Sequence, residues 1–446
     1  MTLRSSHSHK NVPNGRSHAH HHASLDDYYS PPPSKMGKSK IESKRHDWAR
    51  TLNMKEIKKD FKALGKELMK SQGEEDMKHL RRVVLATDVA SILGLCLSVC
   101  SPMYVVPWVL ISTVIFARFA IVNHHVSHGG FDNCCGSSKY KRFTFAKGSV
   151  LKRLADWPDH ILPSAWDFEL NHLHHHYLNE DIDPDLVERN LFTLRNADLP
   201  FPVKYLAVAF FVFTWRWSYY ASNTFANLIE KKKVSNNKSS QTVTVIHLFM
   251  GKIFPSWNLR KIPLGSFIFR VPLPYLAYQF VFLPFLLVIA YVLLIAPSSW
   301  ILVRNIFANL ILADLLSNAH SFVTIVTNHA GNDMYRWRTR CAPMSGAFYV
   351  RAIVSSANFN AGNDLIDFLH GYLNYQAEHH CFPRLSMLSY QKAMPRVKAL
   401  AKKHGIPYVQ ESVWIRLKKT IDIMVGRESM IYLPLELENR MNDVSD

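Results

Sequence analysis

The sequence predicts an all-α integral membrane protein, with four transmembrane helices in two hairpins capped by a helical domain on the cytosolic side. Three observations carry that prediction. Long apolar stretches come in two pairs, basic residues fill every long polar region while the short turns have none, and histidines gather beside the ends of the apolar stretches.

The first pair lies within 83–123, about twice the ~20 residues a helix needs to cross a bilayer. Only Asp88 and Arg118 are charged there, and "SPMY" (101–104) supplies a turn, giving spans at about 83–101 and 104–123. The second pair occupies about 272–296 and 299–322, split at Pro297-Ser298-Ser299. Neither short turn holds Lys or Arg, whereas the N-terminal region, 124–271 and the C-terminal region are rich in both, so all three face the cytosol or its equivalent. The net charge of +18 is thereby explained by topology and anionic headgroups. No nucleic-acid-binding motif accompanies the charge, and no nucleic-acid partner is expected.

Residues 1–45 read as a disordered, His-rich tail, too solvated to fix a metal geometry, with the composition of a plastid transit peptide as an alternative. In 46–82, Trp48, Leu52, Ile57, Phe61, Leu64 and Leu68 recur at helical spacing. That amphipathic helix either lies on the membrane or packs on the cytosolic domain. The apolar run 205–217 is too short to cross and reads as interfacial or buried. The membrane domain extends over 83–410, and 411–446 is expected as a C-terminal tail. The six cysteines show neither CxxC spacing nor a disulfide framework and fit a reducing compartment.

The histidines carry the chemistry. "NHHVSH" supplies His124 and His128, "NHLHHHYLNEDIDPD" supplies His172, His175 and His176 as HxxHH, and "NYQAEHH" repeats that spacing with Gln376 before His379 and His380. On an α-helix, positions i, i+3 and i+4 share a face. "NAHSFVTIVTNHAG" adds His320 and His329 near the end of the fourth span. Topology sets all four places on one side of the membrane. Eight or nine nitrogens exceed what one structural zinc needs and suit two octahedral ions with open positions, a di-iron arrangement. A carboxylate-bridged centre would need two Glu-x-x-His motifs and two further glutamates, and only Glu169-x-x-His172 matches.

In the order, spacing and sidedness of these motifs, residues 80–410 resemble the membrane-bound histidine-box fatty acid desaturases. The QxxHH box, "DPD" (183–185) and "NHAG" (328–331) are similar to the front-end acyl-lipid branch. The resemblance implies oxygen-dependent insertion of a cis double bond into an acyl chain, with two iron ions, dioxygen and an acyl-lipid or acyl-CoA substrate among membrane lipids. No HPGG heme signature is present, so electrons are expected from a separate cytochrome b5 or a ferredoxin.

Expected ligands are His124, His128, His172, His175, His176, His329, His379 and His380, with Gln376 a ninth, direct or through water; no catalytic residue stands apart from them. His125, His174 and His320 are expected to stand aside. Asp183, Asp185, Asn328 and Glu378 are expected to fix ring tautomers. Asp314, an acid inside a span, either functions or pairs with a helix neighbour. The endoplasmic reticulum with a cytosolic site is the expected location, a plastid or bacterial inner membrane the alternative. A hydroxylase, conjugase or sphingolipid-modifying oxygenase on the same scaffold remains open, and a metal transporter is the distant alternative.

Overall fold

The computed structural model describes residues 45–134, 136, 139–231, 242–254, 256 and 260–442. Apart from its last residue, the expected N-terminal tail lies outside them. The helix Met54–Ser71 begins at Asn53, whose side-chain oxygen accepts from the Glu56 amide, satisfying one of the first-turn donors. Its apolar stripe, Ile57, Phe61, Leu64 and Leu68, is buried, and Phe61 stacks on Tyr349 at 5.2 Å. The stripe faces the helices Gly346–Val354 and Met387–Lys403, so this segment packs on the domain. Gly346 permits the contact: a Cβ there would stand 2.3 Å from the Met54 carbonyl oxygen. Truncating Phe61 to Ala would cost about 3–5 kcal/mol.

The helix Glu74–Leu97 returns as Val106–Ser127, which packs between it and Trp300–Asn328. The amide of Asn309 on that third helix donates to the carbonyl oxygens of Ser98 and Cys100, tying the turn of the first hairpin to the bundle. Among the described residues, three helices are long and apolar enough to cross a membrane: Val106–Ser127, Leu264–Leu294 and Trp300–Asn328. The first of the four expected spans falls in Glu74–Leu97, which ends at Leu97 and whose most apolar stretch, 80–97, still holds Arg81, Arg82 and Asp88.

Asp314, inside the last of these helices, is fully paired across the bundle. Its carboxylate lies 3.5 Å from the Arg216 guanidinium and accepts from the Tyr275 hydroxyl at 3.0 Å, while Arg216 also reaches Asp159 at 3.2 Å. The partners come from other elements, not from the same helix. The 205–217 run forms most of the helix Phe201–Trp215, which buries Val208 and Trp215 and exposes Leu206 and Phe210, 72% and 68% accessible. The helix runs on without a break through Arg216–Tyr220 and Ala221–Ile229, so the apolar run is part of a longer element than its own length predicts.

The segment after 410, expected as a tail, is folded. Val409–Glu411 pairs in parallel with Ala357–Phe359, and Ile431–Tyr432 pairs in parallel with Tyr335–Arg336. Between them the helix Val413–Met424 carries Arg416, wholly buried against Asp333, Glu411 and the Ala330 carbonyl. The segment is therefore fixed against the loop that follows His329, next to the histidine cluster.

Candidate metal centre

Four segments bring histidines to one buried place. His124 and His128 sit at the end of Val106–Ser127 one α-turn apart, with the His128 amide donating to the His124 carbonyl and their Nε2 atoms 3.1 Å apart. His379 and His380 lie on the short helix Gln376–Cys381. His329 follows the helix Trp300–Asn328, and His174 and His175 end the second run. Two triads result, each with its nitrogens within 4.8 Å of one another: His124, His128 and His379, and His174, His329 and His380. His175 joins them, its Nε2 3.1 Å from that of His379 and its ring stacked 4.2 Å from that of His380.

The second run departs from its expected register. His172 is exposed and His176 half-buried, and neither enters a triad, whereas His174, expected to stand aside, does. The cause is local. Residues Glu169–His174 form a π-helical turn, and the His175 amide donates to the Leu170 carbonyl five residues back. An α-helix would put His172, His175 and His176 on one face; the wider turn turns His174 and His175 inward instead. No spacing rule in the sequence announces that turn, although three consecutive histidines leave the register open by one. His125 binds the Ile121 carbonyl through Nδ1, and His320 stacks on Phe116 and contacts the Leu369 carbonyl; both stay out of the triads.

The backs of the rings are held as a metal site requires. Nδ1 of His128 meets the Asn171 side-chain oxygen at 2.9 Å, and Nδ1 of His174 meets Asp183 at 3.0 Å. Nδ1 of His329 meets the Ser355 carbonyl and Nδ1 of His379 the Tyr390 hydroxyl, both at 3.0 Å. Because Tyr390 donates to the Phe382 carbonyl, its oxygen accepts from His379. In each case Nδ1–H faces an acceptor and the Nε2 lone pair faces the cluster. Asp183 is itself fixed by the amides of Asn179 and Asp185.

Of the other expected acceptors, Asp185 stays 3.7 Å from His174, Glu378 accepts from Asn358 and Tyr408, and the Asn328 amide donates to the carbonyls of Thr324 and Leu373. Asn171, Ser355 and Tyr390 escaped the sequence reading, since a backbone carbonyl and a tyrosine eleven residues after His379 leave no motif.

Electrostatics favour neutral rings at five of these histidines and a charged one at His174. Burial holds His128, His175, His379 and His380 well below the usual imidazole range and lowers His329 to about 3. At His174 burial also opposes the charge, but Asp183 and Asp185 overcome it and raise the ring to about 9. Two nitrogens at right angles on one ion, each about 2.1 Å from it, would stand about 3 Å apart, which is the spacing found between the Nε2 atoms here. The donor set therefore fits imidazole-binding metal ions.

Beside the triads opens an apolar cavity. His124, His175, His329, His379 and His380 line one part of it, and Trp166, Leu170, Phe211, Trp215, Ile325 and Met424 line much of the rest. Gln376 also lines it, 4% exposed, with a side-chain oxygen that has no partner among the described residues. A polar patch formed by Asn190, Tyr219 and Thr242 completes the wall, with Thr242 donating to Asn190, Asn190 to Tyr219 and Tyr219 to the Pro184 carbonyl.

Comparisons agree with this geometry. Residues 101–412 match the fatty acid desaturase family. An NADPH-dependent stearoyl-CoA 9-desaturase of Mycobacterium tuberculosis is 24% identical over 370 residues, covering 81% of this chain and 77% of that protein. An acyl-lipid (9-3)-desaturase of Physcomitrium patens is 31% identical over 117 residues, 26% of this chain and 19% of its own. Fatty acid desaturase 3 of Bos taurus is 49% identical over 43 residues, 10% of each chain. No solved structure matches.

Proposed function

The chain belongs to the fatty acid desaturase family, and from that premise we propose that it inserts a cis double bond into an acyl chain carried by a membrane lipid, at a centre of two iron ions. It is a membrane oxidoreductase acting on fatty acyl chains. The observation that carries the finer reading is the cavity wall, where metal-binding imidazoles and an apolar, aromatic lining share one space.

His124, His128, His175 and His379 would hold one ion, and His174, His329 and His380 the other, with Gln376 beside them. When bound, the irons and dioxygen supply the oxidising power needed for C–H bonds that no side-chain base could ionise. The protein's part is placement. The indole of Trp166, 5.7 Å from the His124 ring, together with Leu170 and Ile325, excludes water and presses methylenes toward the cluster. The Asn190–Tyr219–Thr242 patch gives the cavity wall its polar side, with its side-chain donors engaged with one another and with the Pro184 carbonyl. The two hydrogens removed carry two of the four electrons that take dioxygen to two waters, so the other two, with two protons, would come from outside, from a separate cytochrome b5 or a ferredoxin.

The helix Glu74–Leu97 would make the fourth crossing; Leu85, Ile92 and Leu93 on it are more than half exposed, as a lipid-facing surface requires. With that crossing, both hairpins return their histidine-bearing ends to the cytosolic side, in the endoplasmic reticulum.

The test is the fatty acid profile of yeast expressing the chain, by gas chromatography and mass spectrometry, beside a His380→Ala control. A new unsaturated species absent from the control supports the reading, and its double-bond position assigns the branch. A hydroxylated product instead would keep the metal centre and replace the reaction. An abundant membrane protein that binds no iron would overturn the reading.

A further inference from the structure

His175 and His380 differ from the four rings whose Nδ1 atoms meet an acceptor: the Nδ1 of each is buried and without a partner among the described residues. Their rings stack at 18°, and both line a second, small cavity on which Glu180, His176, Arg351 and Ala352 also border. Glu180 is 4% exposed. One of its carboxylate oxygens accepts from Arg351 at 3.0 Å, and the other, Oε2, is buried with no partner. Nδ1 of His176 is likewise unpartnered, so it can accept if the ring carries its proton on Nε2. Four unsatisfied polar atoms therefore border one cavity of about 10 Å³, which is room for a single water.

We propose that one ordered water occupies this cavity and links Glu180 to the backs of His175 and His380, making Glu180 a positioning residue for both metal positions. The proposal rests on the metal centre proposed above. The hydrogen-bond count closes. Nδ1–H of His175 and Nδ1–H of His380 donate to the two lone pairs of the water, and its two hydrogens go to Glu180 Oε2 and to the Nδ1 lone pair of His176. With its proton on Nε2, His176 keeps that lone pair free. His380 belongs to one triad and His175 contacts the other, so one water supports a ligand of each ion. His176, outside both triads, gains a role that explains its half-burial at the cluster's edge.

The test uses the full-length protein in lipid nanodiscs, stripped of metal and titrated with Co²⁺, whose absorption reports coordination. Glu180→Gln keeps the shape of the side chain, and Ala352→Val fills the cavity without touching a polar group. Both are expected to weaken Co²⁺ binding by about 10–100-fold and to shift the Co²⁺ spectrum, with melting temperatures near wild type. Binding within twofold of wild type in both variants would overturn the proposal. So would a loss in Glu180→Gln alone, since the carboxylate would then act without the water. If Glu180→Gln fails to fold, with Arg351 left uncompensated, Ala352→Val decides. Failure of the wild-type protein itself to bind Co²⁺ would instead count against the metal centre.

Discussion

The second and third histidine runs look alike in sequence and behave differently in structure. "NYQAEHH" keeps an α-helical turn, and Gln376, His379 and His380 all reach the site as their spacing predicts. "NHLHHHYL" passes through a π-turn and presents His174 and His175, leaving His172 outside. They also differ in charge. In the third run His379 rests on the neutral hydroxyl of Tyr390, whereas in the second His174 rests on the carboxylate of Asp183. Spacing fixes which residues share a face only once the helix type is known, and the helix type here is set by what the turn must reach.

The largest expected effect tests the charge difference. An imidazole whose folded pKa lies below its unfolded value of about 6.5 takes up a proton on unfolding, so acid favours the unfolded chain. His128, His175, His329, His379 and His380 all stand in that state through burial. Each costs the metal-free protein about 1 kcal/mol as the pH falls from 6.5 to 5.5 and about 1.4 kcal/mol per further unit, or about 5 kcal/mol together over the first unit. His174, raised to about 9, stays protonated in the fold across this window while the unfolded ring is still gaining its proton, so it offsets a small part of that loss. Melting of the metal-free protein followed by circular dichroism should fall steeply across this window; a flat profile would mean the rings are not buried as neutral groups.

Next in size is His174→Ala set against His380→Ala. If the π-turn places His174 as a ligand, both variants lose iron from the same triad, and product formation drops by more than the 10–100-fold that losing a mere supporting group costs. Iron per protein, measured by mass spectrometry of the metal, checks it. A His174→Ala protein with full iron would restore the α-helical register and return His172 to the site.

Much of this was legible. The apolar pairs, the basic loops and the gathering of His124, His128, His175, His329, His379 and His380 all follow from patterns whose periods are short and whose chemistry is specific. What stayed hidden depends on tertiary contact. The π-turn at Glu169–His174 has no residue signature, and the acceptors Ser355 and Tyr390 reach their rings only through folding of distant segments. The segment beyond 410 buries Ile423, Met424, Leu433 and Leu437 beside the charges Arg416 and Glu438, whose partners Asp333, Arg338 and Thr339 lie elsewhere in the chain. Asp183 was visible through the DPD motif, but its neighbour Asp185 looked equally suitable, and only the 3.0 Å and 3.7 Å distances to His174 separate them.

That pair gives a smaller and sharper test. Asp183→Asn keeps the side chain's size but removes the charge behind His174, and should cost about 10–100-fold in metal affinity. Asp185→Asn should cost less than a tenth of that. Competition with a chelator of known strength measures both; equal losses would mean that the two carboxylates share the ring.

The smallest effect is the most discriminating for the comparison. His172 heads the HxxHH motif, so the α-helical reading makes it a ligand and predicts that His172→Ala behaves like His380→Ala. In the structure its ring is exposed and packs against Phe168 at 5.6 Å, away from both triads. Its removal costs only that contact and a solvated imidazole, and exposed substitutions of this kind usually stay within about 0.5 kcal/mol. Iron content and product yield in yeast should then remain within about twofold of wild type. A loss as deep as that of His380→Ala would show that the turn closes to an α-helix once metal binds, carrying His172 inward and His174 out.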